Sequence, residues 1–149
     1  MNNHNLILWR RPSVNSMIAT AVVAVSVTLL FACTTTPEPS VRDAMQGKWS
    51  GTWTSVTKVG TNGVKCVNGK ISSWEVVGSK LGGKATSDYG DVYDGSATVS
   101  ETGAIKGGLA VAGQSVVKFW GKTSADGLFS KGEFEDTEKC KGTWKTAKV

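Results

Sequence analysis

An all-β fold, a small antiparallel up-and-down β-barrel of about eight strands preceded by an N-terminal signal helix, is what three features of this 149-residue sequence predict. Glycine is abundant, with 18 residues, and it follows Asn or Asp in Asn62-Gly63, Asn68-Gly69, Asp94-Gly95 and Asp126-Gly127. Those dipeptides suit tight hairpin turns, whose two central residues both take positive φ. Between them the segments are short, and several alternate apolar with polar residues. From residue 47 onward no ten-residue stretch repeats its apolar positions at helical spacing.

The elements follow in order. Residues 41–45 suit a short turn of helix. Residues 48–57 place Trp49, Gly51 and Trp53 on one face and mainly polar residues on the other. Further strands are expected over 64–67, 70–78, 81–86 and 96–100. Residues 104–112 set Ile105, Leu109 and Val111 on one face with Lys106 opposite, and 115–123, 127–137 and 140–148 complete a C-terminal run of hairpins. Thr102-Gly103 and Ala112-Gly113-Gln114 supply additional turns. Such a sheet escapes two exposed edges by curling shut. Gly51, Gly107, Gly108, Gly132 and Gly142 inside strands favour that curvature, because they permit bulges and close backbone approach. Gly47-Lys48-Trp49 and Gly142-Thr143-Trp144 place a Gly-x-Trp at each end of the domain. If the first and last strands are neighbours, Trp49 and Trp144 are expected to plug one end of the barrel together.

Residues 1–32 have the zones of a secretory signal: Arg10 and Arg11, then a largely apolar run over 17–32 ending in the small residue Ala32. That run is shorter than the roughly 20 apolar residues a spanning helix needs. Leu30-Phe31-Ala32-Cys33 resembles the lipobox of bacterial lipoproteins, with Phe31 standing where small or β-branched residues are commoner. The resemblance implies that Cys33 is diacylated through its sulfur and becomes the mature N-terminus, and that a third acyl chain joins the new amine. Thr34 in place of Asp implies sorting to the outer membrane. Two or three chains suffice for stable anchoring, since each buried methylene contributes roughly 0.8 kcal/mol. The expected location is therefore the bacterial cell envelope, lipid-anchored and facing the periplasm or the cell surface. Residues 33–46 are read as the lipidated Cys and a linker, because Thr34-Thr35-Thr36-Pro37-Glu38-Pro39-Ser40 has two prolines, four hydroxyls and no apolar period. Residues 47–149 form the barrel domain, a length suited to one small core.

Loss of residues 1–32 removes two Arg and no acid, so the formal charge falls from +5 to +3, with 15 bases against 12 acids. Fourteen of those bases are Lys, scattered singly, as residues that aid solubility and guard strand edges commonly are. No basic run alternates with aromatics as a single-strand nucleic-acid surface requires, so nucleic acid is not an expected partner. With Cys33 lipidated, Cys66 and Cys140 remain as one pair in an oxidising compartment. The pair is expected as a structural disulfide, since no Cys-x-x-Cys spacing supports redox chemistry.

Catalytic constellations are sparse. The single histidine, His4, lies in the segment to be removed, which leaves no histidine for a triad, a neutral-pH base or a zinc site. No glycine-rich loop followed by Lys-Ser/Thr opens a helix to cradle phosphate. Asp88, Asp91 and Asp94 cluster like Ca²⁺ ligands, but their spacing is not that of an EF-hand loop, and they read as a structural loop. Glu133, Glu135, Asp136 and Glu138 form a second acidic group. Paired carboxylates can cleave glycosides, yet Glu133 and Glu135 fall on one face of a strand, the solvated one. Neither a metal nor a cofactor is expected.

Five tryptophans remain in the mature domain: Trp49, Trp53, Trp74, Trp120 and Trp144. They are read mainly as core, and also as candidate ligand-binding residues lining the barrel mouth. Gly47-Lys48-Trp49 resembles the Gly-x-Trp opening of the lipocalin and calycin families, and faintly the first strand of avidin-like barrels. Gly47 and Trp49 are the matching positions. The resemblance implies a barrel that holds a small apolar ligand. The arginine that calycins pack on that Trp from the last strand is absent, and Lys145 or Lys148 is its nearest substitute. The expected function is a lipid-anchored, non-enzymatic binding or interaction module, its partners the membrane (through acyl chains on Cys33) and a small apolar ligand or an envelope protein. The alternative is a periplasmic inhibitor of a hydrolase such as lysozyme. The third reading is a carbohydrate-acting enzyme using the acidic groups. A Trp-lined pocket closed at one end favours binding, a protruding loop around Asp88 to Asp94 favours inhibition, and carboxylates opposed across a groove favour catalysis.

Overall fold

The computed structural model of the chain describes residues 38–149, so the signal segment and Cys33 lie outside the described residues. Ser40 caps a short helix, α1 (Val41–Ala44), through a reciprocal pair of bonds: its hydroxyl accepts the Asp43 N–H, and the Asp43 carboxylate accepts the Ser40 N–H. Eight strands follow: β1 (Gly47–Ser55), β2 (Gly69–Val77), β3 (Lys80–Ser87), β4 (Val92–Val99), β5 (Ala104–Val111), β6 (Gln114–Thr123), β7 (Phe129–Asp136) and β8 (Lys141–Lys148). Each pairs antiparallel with its sequence neighbours, and β1 pairs with β8 from Trp49↔Lys148 to Ser55↔Gly142, which closes the barrel. The expected up-and-down barrel is the fold, and closure leaves no strand edge for the lysines to guard.

Inward and outward positions alternate as the pleat demands. Trp49, Trp53, Ile71, Trp74, Val76, Leu81, Ala85, Val99, Ile105, Leu109, Phe119, Phe134 and Trp144 fill the interior. Lysines and hydroxylated residues dominate the outside, including Lys48, Lys70, Lys84, Lys106, Lys122, Lys131 and Lys145. That is the reverse of the apolar-out pattern of strands that face lipid. Among the described residues no helix is long and apolar enough to cross a membrane.

The large aromatics fit because glycines stand opposite them. Trp144 sends its indole N–H toward two carbonyls, those of Trp120 and Glu133, at 3.2 Å each. It reaches them across Gly121 and Gly132, where any Cβ would collide with backbone and with the Trp144 ring. Trp74 stacks on Phe119 with centroids 5.1 Å apart, and Trp144 meets both edge-on.

Several expectations are corrected. Asp94-Gly95 is not a turn but the middle of β4, which extends well beyond the expected 96–100. Gly95 faces inward beneath Trp74, so it answers a need for space and not for positive φ. Asn68-Gly69 does not form a hairpin; Asn68 ends a long connection, and its side-chain oxygen accepts the Ser55 N–H at 2.9 Å. Residues 64–67 are not a strand: a single bridge, Val59↔Lys65, is all that forms there. Trp49 and Trp144 do not plug one end together. The β1–β8 register sets Trp144 opposite Trp53, and Trp49 opposite Lys148. Trp120 does not face the interior, since Phe119 takes the inward position on β6.

Gly132→Ala is expected to lower the unfolding free energy by about 1–3 kcal/mol in urea titrations, because the new methyl must displace strand backbone and the Trp144 indole. Gly82→Ala, whose nearest contact would be the Gly95 carbonyl at 3.8 Å, should stay within about 0.5 kcal/mol of the parent. Equal effects at the two positions would contradict the packing described here.

Candidate functional site

The two ends of the barrel are built differently. At the helix end, α1 acts as a stopper. Met45 is fully buried, and its carbonyl accepts the Trp49 indole N–H at 2.8 Å. Gln46 exchanges two side-chain hydrogen bonds with Gly78 in the β2–β3 turn, at 2.8 and 3.0 Å. The Arg42 N–H donates to the Glu101 carbonyl in the β4–β5 turn, and the Lys148 ammonium donates to the Ala44 carbonyl at 2.7 Å. Of the two lysines weighed as partners of Trp49, Lys148 is therefore the one bound at this end; Lys145 faces outward. Val41 and Ala44 rest against Gly103 and Gly127, where added side chains would collide with the helix.

The opposite end is roofed by the β1–β2 connection, residues 56–68. A short 3-10 turn (Thr61–Gly63) within it carries Asn62 and Gly63 at φ of 57° and 75°, the positive values expected of that pair. The connection is fastened by the Cys66–Cys140 disulfide, whose Cα atoms lie 5.5 Å apart across a sequence separation of 74. On the chain-entropy model a loop of that size contributes about 4–5 kcal/mol. The Thr61 N–H and hydroxyl both bond to Glu138 in the β7–β8 turn, and the Gly60 N–H bonds to the Val64 carbonyl. Connections this long with little regular structure are uncommon in small domains and frequently functional.

Beneath this roof lies an apolar cavity of about 50 Å³ lined by Trp53, Ile71, Trp74, Leu109, Phe119, Phe134 and Trp144, with Val67, Val117, Tyr93, Asp136 and Cys140 toward the loop end. Trp53 meets Tyr93 edge-on at 6.0 Å and donates its indole N–H to the Val67 carbonyl, tying the roof to the wall. Trp74 is 2% exposed, and its Nε1–H has no acceptor among the described residues. An orphaned buried donor of this kind costs about 1–3 kcal/mol. A Cβ at Gly95 would come within 2.9 Å of that nitrogen.

The polar groups of the mouth are perturbed. Burial pushes the Asp136 carboxyl above the usual aspartate range, and the nearby Glu138 and Glu135 add to it, while the backbone N–H groups of Cys140 and Glu138 pull the other way. Burial likewise raises the Tyr93 phenol, with the charges of Asp91 and Asp136 reinforcing it and a hydrogen bond to Ser87 opposing it.

The candidate tryptophans thus separate into three sets. Trp53, Trp74 and Trp144 line the cavity, Trp49 is sealed at the helix end, and Trp120 lies outside the barrel, 41% exposed. Asp136 stands out in the sequence only as one of an acidic group and Trp74 only as an aromatic, while Tyr93 is not a candidate; the alternation of β7 and β4 is the signal that could have placed Asp136 and Tyr93 inward. The acidic groups are dispersed as well. Asp91 accepts the Ser87 hydroxyl at 3.0 Å, Asp94 pairs with Lys84 on the outer wall, and the loop between β3 and β4 is short. Glu133 and Glu135 share the outer face of β7, where Glu135 pairs with Lys139 and Lys141 and those partners hold its carboxyl below the usual range. Among the described residues no three His, Cys, Asp or Glu side chains gather as a metal site needs.

Because the folded protein disfavours ionised Asp136, this group favours folding below the ordinary aspartate value of about 3.9, and that contribution is lost as pH rises through the raised folded value. Asp136→Asn keeps an oxygen for the Cys140 N–H and removes the charge. Its melting temperature relative to the parent should therefore be higher at pH 7 than at pH 3. A difference independent of pH would show that the carboxyl is not desolvated.

No family model matches the chain, and no curated protein matches it, so the geometry of the barrel and its loop end carries the functional argument.

Proposed function

We propose that this protein is a lipid-anchored, non-enzymatic binding module of the bacterial cell envelope. It is tethered through Cys33 and takes a small, largely apolar group bearing one hydrogen-bond acceptor into the loop end of its barrel. The observation that carries the binding half is the Trp-lined cavity at the unstoppered end, with the buried Trp74 N–H lacking an acceptor. An acceptor delivered by a ligand relieves a desolvation cost that the protein alone leaves standing.

The cavity's size narrows the ligand. About 50 Å³ gives room for roughly three to five waters. Typical pockets for drug-sized ligands run to about 300–1,000 Å³. A group of a few heavy atoms fits, either a small molecule or one side chain of an envelope protein docked on the roof. α1 covers the helix end of the barrel, so the loop end is the one that remains for a ligand or a docked side chain. Anchoring is supported by Leu30-Phe31-Ala32-Cys33 and by the proline-interrupted segment after it.

Two measurements test the two halves. Labelled palmitate should be incorporated by the full chain and not by Cys33→Ala; no label on the parent would remove the anchor. For binding, 2-butanone titrated into ¹⁵N-Trp-labelled protein should shift the Trp74 indole N–H, assigned through Trp74→Phe, at roughly millimolar concentration. The Trp49 indole, bonded to Met45, should stay in place. A Trp74 resonance that does not move would overturn the interior site.

A further inference from the structure

The outer wall carries a second feature that the interior site does not use. The register places Lys122 on β6 directly opposite Lys131 on β7, and Lys131 directly opposite Lys145 on β8. The same row continues through Thr52 on β1 to Lys70 on β2. Like charges facing each other across a sheet are destabilising, with Cβ atoms only about 4.5–5.5 Å apart. None of the ion pairs among the described residues involves these lysines. The acid that shares a groove with Lys122, Lys131 and Lys145, Glu133, is in none of those ion pairs either, so these three cations stand against one carboxylate there. Two shallow grooves, of about 960 and 750 Å³, meet at Lys122, Lys131 and Lys145. Trp120 lies in the first and Phe129 in the second, 41% and 60% exposed. The row beside the lysines reads Lys106, Trp120, Glu133, Thr143 and Thr54 across β5, β6, β7, β8 and β1.

We propose that this wall binds a linear anionic glycan, one bearing carboxylates or phosphates along its length. The lysine ladder supplies cations one strand apart, at a pitch of about 4.8 Å. Trp120 offers an apolar ring face to a sugar, while Thr52, Thr54 and Thr143 offer hydroxyls, and the Glu133 carboxylate accepts from sugar hydroxyls. The number of aromatic platforms is what separates a glycan from a nucleic-acid strand. A single-strand surface needs successive aromatic platforms, and this row has one. A bilayer would draw on Phe129, 60% exposed, rather than on Trp120, more than half of which is covered by the wall, and it is one of the outcomes that the test separates.

The test uses the full chain with polygalacturonate as the carboxylate probe and dextran phosphate as the phosphate probe, against neutral dextran, oligo(dT), and phosphatidylglycerol compared with phosphatidylcholine vesicles. At least one anionic glycan should bind about tenfold more tightly than dextran or oligo(dT), and the affinity should fall with added salt. Lys131→Gln and Trp120→Ala should each weaken that binding about fivefold. In the unliganded protein Lys131→Gln should raise Tm by about 1–3 °C, because it relieves two like-charge pairs. A purely structural lysine would show the opposite sign, a loss of stability with no effect on binding. Lys145→Gln repeats the comparison at an independent position. The proposal fails if neither glycan binds or if oligo(dT) binds equally. It also fails if the only charge-dependent partner is the phosphatidylglycerol vesicle, with a preference that Lys131→Gln abolishes.

Discussion

The β1–β8 pairing leaves the sheet without an edge, and everything inside must then fit a cylinder of fixed girth. Eight strands enclose a lumen just wide enough for side chains to fill. Trp53, Trp74 and Trp144 would overfill it if every inward position around them carried a side chain. They do not, because glycines occupy inward positions beside them: Gly69 next to Trp53, Gly95 next to Trp74, and Gly121 and Gly132 next to Trp144. Tryptophan and glycine are therefore one device. The ring supplies buried area, and the missing Cβ supplies the space. Trp144 shows the coupling best, since its indole N–H crosses two such gaps to reach the carbonyls of Trp120 and Glu133, tying the inner ring to the wall.

Closure also forces the two ends to differ. A barrel of this size has two openings, and a chain entering at one of them can stopper it with its own N-terminal segment. Here α1 does so through backbone and side-chain bonds to the β2–β3 and β4–β5 turns and to Lys148. The other opening receives no helix and is covered by an irregular connection that a disulfide must hold down. The residual space and the orphaned Trp74 donor lie on that side of the stopper. Asymmetric sealing thus follows from where α1 and the long β1–β2 connection lie, and it leaves the residual interior space at the loop end.

Local sequence features translated well where a single segment decides its own conformation. The short helical turn at 41–45, the Asn62-Gly63 and Ala112-Gly113 turns and the alternation of β1 are of this kind. β5 alternates as expected only through Leu109, after which a register shift leaves Val111 40% exposed. The disulfide followed from elimination, with Cys66 and Cys140 the only cysteines after Cys33. Expectations failed where a residue type serves two ends. Asp94-Gly95 has the composition of a turn, yet Gly95 is present for the Trp74 ring two strands away. Trp120 resembles the other tryptophans in composition but has the opposite parity to Phe119 beside it, and two adjacent aromatics cannot both point inward. Trp49 and Trp144 share a motif, but whether they meet depends on the stagger of β1 against β8, a property of the closed barrel and of neither segment.

The lysines illustrate the same limit from the outside. In the chain, Lys122, Lys131 and Lys145 are isolated residues separated by hairpins, and each alone is an ordinary solvated position on a strand. Their alignment arises from three independent facts: the β6–β7 register, the β7–β8 register, and the parity that turns all three outward. A one-residue slip in either register would bury one lysine or move it off the row. The interior apolar pattern forbids that slip, because it would carry Phe134 or Trp144 to the surface. The packing of the core therefore holds three like charges in line despite their repulsion. An anion on the outer wall would relieve a strain that the tryptophan–glycine interlock maintains, which makes the charge row and the aromatic core mechanically dependent even though they lie on opposite faces of the same sheet.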